Sequence, residues 1–373
     1  MNISLLVGLK NNLDYSKNFY NTTRALYPEI EICFVSYGSS DGTHEWLDSL
    51  NDSNVKYYYE SESKTFSDTF NKATEIATKN YVAYLHNDIV LAPNFIENIL
   101  KHTNGNRAIA YTTIEPPIFS GHERPGKIIK DFGSDLLSFN IKEMHDFVNL
   151  KAIECKDKIE SGVTFFMCMP RKVLLEIGCM DNLFNPFFCE DDDIIQRLKL
   201  YGLEQITSLD AICYHFVSKT SRFSEEYKIK TQIIEIISNR NYIRKWGSRS
   251  ISPKYNIAYV VHNCNIHALS ALEPWCDRIY VDNKFDYIET EQSKTKFDLS
   301  KRVLTIRQND PEGENDIVIE FDCAKFTQRS FELLQQIPQI VKESGELGAF
   351  ELEDLKIVIN RIEEKQNDLI KLI

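Results

Sequence analysis

Three segments set carboxylates or imidazoles where buried apolar chain should run on. Residues 81–85 form a β-branched and aromatic run that stops at His86-Asn87-Asp88, after which apolar residues resume at once. A carboxylate at the end of a sheet strand can hold Mg2+ or Mn2+, which take oxygen ligands and share them with substrate phosphates. Taken alone, such an Asp is more often a turn or cap residue, here ahead of Pro93. The second segment is Glu190-Asp191-Asp192-Asp193, preceded by Phe184-Asn185-Pro186-Phe187-Phe188-Cys189. Four adjacent carboxylates repel one another, and some must titrate above the ordinary range. That cost has a purpose at a helix N-terminus, beside a metal, or where a general base is needed. The aromatic flank favours a cleft over an open solvated surface.

The third is His215, in the apolar run 211–216. A lone histidine there is more often a core residue. Brought beside Asp88, a neutral imidazole would ligate the same metal or touch a phosphate. A further segment, Ser36-Tyr37-Gly38-Ser39-Ser40-Asp41-Gly42-Thr43, has turn chemistry: its glycines permit a tight turn, and Asp41 or Thr43 can cap a helix. On its own it is a plain strand–helix connection.

The elements that must position these residues alternate. Residues 3–9, 31–36, 55–59 and 81–85 read as strands, and 15–27, 44–50 and 66–78 as helices. A helix to about Lys101 follows Pro93. Strands are expected over 108–114, 162–169 and 211–216, and helices over 171–177 and 191–201. This rhythm predicts an α/β fold with a mostly parallel, Rossmann-like sheet, which binds ligands at the carboxyl edge of its strands. Residues 115–158, punctuated by Pro116, Pro117, Gly121, Pro125, Gly126 and Gly133, read as an irregular insertion of the kind that carries binding loops.

The pattern restarts near Ser252-Pro253. The expected division is therefore residues 1–250 and a smaller C-terminal α/β domain, 251–373, for acceptor binding or oligomerisation. Its strands are expected over 256–261, 278–281, 302–306 and 316–321, followed by helices over 326–343 and 350–373. In the last helix Leu352, Leu355, Ile359, Ile362, Leu369 and Ile373 make a heptad-like stripe with Gln366 at a seam position. Such a helix lies on its own domain or joins a homodimer. His262, Cys264 and His267 are close enough in sequence for a metal site, against an ordinary strand-to-helix turn. The basic stretch 240–249 reads as an amphipathic helix with a solvated basic face.

The 373 residues, 43% hydrophobic and 26% charged, suffice for two globular domains. The apolar runs are too short to span a bilayer, and Met1-Asn2-Ile3 does not open like a signal peptide, so a cytoplasmic location is expected. Nine cysteines without a C-x-x-C pair read as reduced, buried hydrophobes. A net charge of −12 counts against nucleic acid or anionic membrane as partner.

In this order and spacing, the segments resemble the family 2 glycosyltransferases of the GT-A fold, over roughly residues 1–247. The resemblance is carried by Gly38-Ser39-Ser40-Asp41-Gly42-Thr43, by Asn71-Lys72-Ala73 ahead of the next strand, and by His86-Asn87-Asp88 at the place of an Asp-x-Asp metal motif. VTFFMCMPRKVLLEIGCMDNLFNPFFCEDDDIIQRLKLYG follows the family's line into its acidic helix start. His215, with Ser218, Thr220 and Ser221 after it, and RNYIRKWG complete the match.

The resemblance implies Mn2+ or Mg2+ and a nucleotide-diphosphate sugar donor, with a UDP-sugar foremost. It implies transfer of a hexosyl or N-acetylhexosaminyl group to a glycan, polysaccharide precursor or protein, by single displacement with inversion. Asp88 would be the metal ligand and His215 a further metal or phosphate contact. Asp191 would be the general base, and Glu190 would orient the acceptor or the base. Gly8, Leu9, Lys10, Tyr37, Asp41, Asn71, His86 and Asn87 would border the donor. The sequence departs from the family twice. Ser36-Tyr37 stands where an acidic pair is usual, and Tyr37 can stack on the nucleotide base instead. His86 replaces the first acid of the metal motif. Both departures also fit a degenerate scaffold that binds a sugar nucleotide or glycan without turning it over. A nucleotidyltransferase would need a Gly-rich basic loop after the first strand, where Gly8-Leu9-Lys10-Asn11-Asn12 offers one lysine.

Overall fold

The computed structural model describes residues 1–117, 122–217, 230–249, 252–306 and 314–372. They divide into two units, Met1–Gln232 and Ile233–Lys371. The first unit opens with β1 (Ile3–Leu9), α1 (Leu13–Leu26), β2 (Glu31–Tyr37), α2 (Thr43–Ser49), β3 (Val55–Glu60), α3 (Phe66–Ile76) and β4 (Tyr81–His86). β1 runs parallel to both β2 and β4. All seven residues of β2 are buried, as a strand covered on both faces requires. α3 starts on a capping box, Thr65 and Asp68 each bonding the other's backbone N–H.

The unit continues through β5 (Ile89–Leu91), α4 (Phe95–Leu100), β6 (Arg107–Glu115), β7 (Lys127–Ile129), α5 (Ile141–Glu154), β8 (Ile159–Ser161), β9 (Met167–Pro170), α6 (Arg171–Glu176), α7 (Glu190–Tyr201) and β10 (Glu204–His215). The sheet order is β3-β2-β1-β4-β9-β6-β10-β5, with β7 on β6 and β8 on β10. Strand order reverses at β1, which has β2 on one side and β4 on the other. The carboxyl ends of β1 and β4 therefore flank a switch point, where open α/β sheets bind ligands. Gly8 and His86 are paired in register there. β5 returns antiparallel to β10 with Ile89 opposite His215. That pairing, clamped by the Phe216 N–H on the Asp88 carbonyl at 3.0 Å, carries His215 to Asp88. A core of Leu5, Val7, Phe34, Leu85, Ile89 and Cys213 fixes these strands from behind.

Two expectations for this unit need correction. The insertion is not irregular throughout: it holds β7 and the 14-residue α5. Only Met144 and Val148 of α5 are buried, so its apolar stripe is too thin to stand out from the sequence. The strand expected over 162–169 shrinks to β9, because Gly162 turns the chain out of β8 with φ 99°.

The second unit holds α8 (Thr231–Trp246) from its third residue on, β11 (Ile257–His262), α9 (Ile266–Leu272), β12 (Arg278–Val281), α10 (Tyr287–Glu291), α11 (Leu299–Arg302), β13 (Val303–Thr305), β14 (Ile317–Asp322), α12 (Gln328–Ser344), β15 (Gly348–Leu352) and β16 (Leu355–Ile359). Its sheet runs β13-β12-β11-β14-β16-β15. The long helix expected over 350–373 is instead the antiparallel hairpin β15–β16, with β16 beside β14 and a short 3-10 turn, Gln366–Leu369, after it. Leu355, Ile357 and Ile359 are buried and Lys356 is exposed. This two-residue alternation, the β-branched run 357–359 and the left-handed Glu353 (φ 53°) at the turn all suit a strand. The three- and four-residue steps that imitate a heptad straddle the hairpin. No α-helix remains there to carry a homodimer seam.

The basic stretch of α8 is not a solvated face. Arg244 is buried and donates to Glu273 and Glu291, while Arg240 donates to Glu291 and to the Tyr287 hydroxyl. Arg302 meets Glu273 from α11. The charges are paired inside the unit, where an unpaired one would be expensive. No helix among the described residues is long and apolar enough to cross a membrane.

Candidate functional site

A cavity of about 180 Å³ opens at the carboxyl ends of β1, β2 and β4. Gly8 lets the sheet approach α3 closely: a Cβ there would come within 3.0 Å of Thr69 Cγ2 and 3.2 Å of the Phe70 ring. One end of the cavity is lined by His86, Asp88 and His215, the other by Leu9, Lys10, Tyr37 and Lys64, with Phe66 and Phe187 as apolar wall.

His86, Asp88 and His215 each offer a ligand atom within 4.8 Å of the others. His215 Nε2 lies 3.4 Å from Asp88 Oδ1, and His86 Nδ1 lies 3.9 Å from the same oxygen. The Nε2 atom of His86 is buried and makes no hydrogen bond, a state that native interiors avoid unless something satisfies it. His215 Nδ1 lies 3.3 Å from Glu115 Oε1, and Glu115 is paired with Lys127 at 2.6 Å. A carboxylate behind an imidazole fixes the ring and its tautomer, as behind metal-bound histidines.

Electrostatics differ between the two rings. Burial pulls His86 down to about 4, against the pull of Asp88, so its ring is neutral and can ligate. Burial opposes the charge on His215 too, but Asp88 and Glu115 outweigh it and raise it to about 9. Glu115 is disfavoured by burial as well, yet His215 and Lys127 hold it at about 2. A cation entering the cluster must displace the His215 proton. Two imidazoles and one carboxylate fit a divalent transition ion. They suit Mn2+ better than Mg2+, which keeps mostly to oxygen.

At the other end, the Lys10 ammonium donates to the carbonyls of Tyr37 (3.2 Å) and Gly38 (3.0 Å) and to Ser63 Oγ (2.7 Å). All three acceptors are uncharged, so its charge is available to an anion in the cavity. Lys64 lies 4.7 Å over the Tyr37 ring and pairs with Glu60 at 2.7 Å.

The remaining expected residues are placed as follows. Asn87 lines the cavity but donates to Ser16 Oγ at 3.0 Å, tying β4 to α1. Asp41 lies outside the lining: its carboxylate accepts from the backbone N–H of Leu13 at 2.8 Å and from both the N–H and the hydroxyl of Thr43. Asn71 is also outside and exchanges two 2.9 Å bonds with the backbone of Met180. Glu190 and Asp191 open α7, just after Pro186 and Phe187, which do line the cavity. Phe188 (φ 78°) and Cys189 (φ 68°) are left-handed at this junction, a conformation that side chains resist.

The acidic run is split by environment. Burial and the neighbouring Asp191 raise Glu190 to about 8, and its Oε2 is buried without a hydrogen bond. Burial also raises Asp191, and burial with Asp191 raises Asp192 to about 6. Asp193 instead forms a buried 2.7 Å ion pair with Arg197, which also holds the carbonyls of Ile177 and Cys179.

Sequence reasoning missed Lys64, Phe66 and Glu115. Glu115 had one usable signal, its place at the end of a strand that pairs with the one ending in His215. Ser218, Thr220 and Ser221 lie outside the described residues. In the second unit His262 pairs with Glu320 at 2.8 Å, and among the described residues neither it nor Cys264 and His267 belongs to a metal-holding group.

Residues 4–176 match the model of the family described as glycosyl transferase family 2. No curated protein matches the chain. Among solved structures, the chain is similar to the mannosyltransferase PcManGT from Pyrobaculum calidifontis in complex with GDP-Man and Mn2+, at 18% identity and TM-score 0.43, over 65% of this chain and 63% of that one. It is similar to GalNAc-T7 with UDP, GalNAc and Mn2+ at 11% and 0.42, over 58% and 44%. It is similar to S. aureus TarS at 14% and 0.42, over 65% and 69%. The chain thus spans less than two thirds of the first two. Residues 4–176, a little under half of the chain, thus resemble glycosyl transferase family 2, and they lie in a unit with the α/β fold and mostly parallel sheet expected of it.

Proposed function

We propose that the first unit transfers a hexosyl or N-acetylhexosaminyl group, with inversion, from a nucleotide-diphosphate sugar to a hydroxyl of a glycan, polysaccharide precursor or protein. The observation that carries this reading is the convergence of His86, Asp88 and His215 at one end of a cavity whose other end holds Lys10 and Tyr37. Asp88 and the two imidazoles would hold the ion, Mn2+ by preference. When bound, a divalent ion offsets the charge on the departing diphosphate. The Lys10 ammonium draws the anionic donor inward, and Tyr37, its one face under Lys64, offers the other face to the base, with UDP-sugars foremost. Phe66 and Phe187 keep water from the reacting centre.

Asp191 takes the proton of the acceptor hydroxyl as its oxygen attacks the anomeric carbon. Glu190, protonated at neutral pH, orients the acceptor or Asp191 by donating a hydrogen bond. Asp41 and Asn71 act from outside the cavity, by fixing the loops that shape it. One observation favours a second reading, a scaffold that binds a sugar nucleotide without turnover: Glu190 and Asp191 stand outside the cavity lining.

The test is donor turnover. Purified protein is incubated with UDP-, GDP-, dTDP- and CMP-sugars, with Mn2+ or with EDTA, and released nucleotide is measured. Release from one donor, dependent on metal and lost in Asp88→Ala and Asp191→Asn, supports the transferase. Metal-dependent nucleotide binding with no turnover in the presence of candidate acceptors supports the scaffold.

A further inference from the structure

Two of the three ligands in the metal cluster are imidazoles, and only one is a carboxylate. Carboxylate, carbonyl and water oxygens suit Mn2+ and Mg2+, whereas imidazole suits zinc and the later transition ions. On one set of nitrogen and oxygen ligands Mn2+ also stands at the bottom of the first-row divalent series, with Zn2+ above it. The distances agree with that order. Ligand atoms ~2.0–2.1 Å from one tetrahedral ion stand about 3.4 Å from each other. His215 Nε2 is 3.4 Å from Asp88 Oδ1, and His86 Nδ1 is 3.9 Å from the same oxygen. Glu115 Oε1 stands 3.3 Å from the other nitrogen of His215, which is the carboxylate–histidine–zinc order. His86 and His215 are the last residues of β4 and β10, so strands rather than loops hold the two rings.

We propose that the His86–Asp88–His215 cluster selects Zn2+ over Mn2+, and that Zn2+ taken up there suppresses binding of the nucleotide donor. The second half rests on the donor site of the proposed function; the first does not. Coordination number separates the two ions. Zn2+ held by three protein ligands keeps one position open. An octahedral ion such as Mn2+ on the same ligands keeps three. A nucleoside diphosphate offers oxygens from two phosphates, and one open position cannot take both. The exchange of one ion for the other therefore acts as a switch on donor binding, and His86 and His215 set its direction.

The experiment loads the full chain with Mn2+ and titrates it with Zn2+, following released Mn2+ by its paramagnetic resonance. Calorimetry then measures UDP and GDP binding with each ion. The expected result is release of half the bound Mn2+ by about a tenth as much free Zn2+, or less, and weaker diphosphate binding with Zn2+ than with Mn2+. Co2+ in place of Zn2+ should give the intense visible absorption of a low-coordinate ion. His86→Asp exchanges an imidazole for a carboxylate and should narrow the preference for Zn2+ by about tenfold. Mn2+ that stays bound until Zn2+ matches it, binding of neither ion, or a preference that His86→Asp leaves unchanged would overturn the proposal. Equal diphosphate binding with the two ions would overturn its second half. If Zn2+ displaces Mn2+ but neither ion brings a diphosphate onto the chain, the selectivity stands and the donor site of the proposed function fails. Should His86→Asp not fold, the competition on the unaltered chain and the Co2+ spectrum decide the matter.

Discussion

Nε2 of His215 faces Asp88 Oδ1 at 3.4 Å while Nδ1 of the same ring faces Glu115 Oε1 at 3.3 Å. The ring is held between two carboxylates, and the antiparallel register of β5 on β10 puts it there. Asp88 shares the cavity and the metal cluster, whereas Glu115 stands behind the ring, against Lys127.

On the proposed function Glu115 is a positioning residue. Glu115→Gln should weaken Mn2+ binding by about 10–100-fold, the usual loss when a carboxylate behind a metal-bound histidine is removed. A Mn2+ titration checks this, with the melting temperature measured alongside. A loss of stability with no change in Mn2+ affinity would show a purely structural role.

The acidic helix start gives a pH dependence with a definite sign. On the proposed mechanism Asp191 is the general base and works ionised, so turnover at saturating donor and metal should rise with pH as it ionises. Its raised pKa places that rise above the ordinary carboxylate range. Asp191→Asn should lose about 10²–10⁴-fold, the worth of a positioned base. Glu190, raised to about 8, is protonated below that pH. Glu190→Gln imitates the protonated acid and should keep most activity below about pH 8, whereas Glu190→Ala should not. The stability that Glu190 contributes through its raised pKa is full below its ordinary range and is lost as pH climbs through about 8. Melts of Glu190→Gln should lack that slope.

Asn71 and Met180 form a closed pair of bonds, so Asn71→Ala strands a backbone donor and acceptor. The expected cost is about 1–3 kcal/mol by urea unfolding. Mn2+ affinity should not change, since Asn71 lies outside the cavity. A changed affinity with unchanged stability would place Asn71 on the ligand instead.

In the second unit Glu273 is fully buried and anchors Arg244, Arg302 and Tyr287. Glu273→Gln leaves two buried guanidinium groups underpaired and should cost about 3–5 kcal/mol. Burial disfavours the Glu273 charge, but Arg302 and Arg244 overcome this and hold the carboxyl at about 2. Its contribution to stability is thus complete above the ordinary glutamate range and is lost as pH falls toward about 2. Thermal melts of the second unit's transition between pH 7 and pH 2 measure it.

How far these features could be read from the sequence follows from the forces that set them. The strands of the first unit are short β-branched runs between turn residues, and each was legible because local propensity and burial agree. His86-Asn87-Asp88 stood out because a polar break in a buried strand is unusual. His215 gained meaning only through family resemblance, because its partner is set by a strand pairing far along the chain. Glu115 and Lys64 are ordinary surface-type residues until the sheet closes around them. At the C-terminus Leu352, Leu355 and Ile359 satisfy both a helical stripe and a hairpin. The β-branched run 357–359 and the Glu353-Asp354 turn decide for the hairpin. Arg240 and Arg244 read as solvated because their partners, Glu273 and Glu291, come from other elements.

The most direct test of the central claim is calorimetric binding of nucleoside diphosphates to the unaltered chain and to Asp88→Ala, each in Mn2+ and in EDTA. The account predicts binding of at least one nucleotide by the unaltered chain with Mn2+, and a loss of about tenfold or more, at least 1.4 kcal/mol, in EDTA or in Asp88→Ala. Equal binding in all four samples, or binding of no nucleotide in Mn2+, would contradict it.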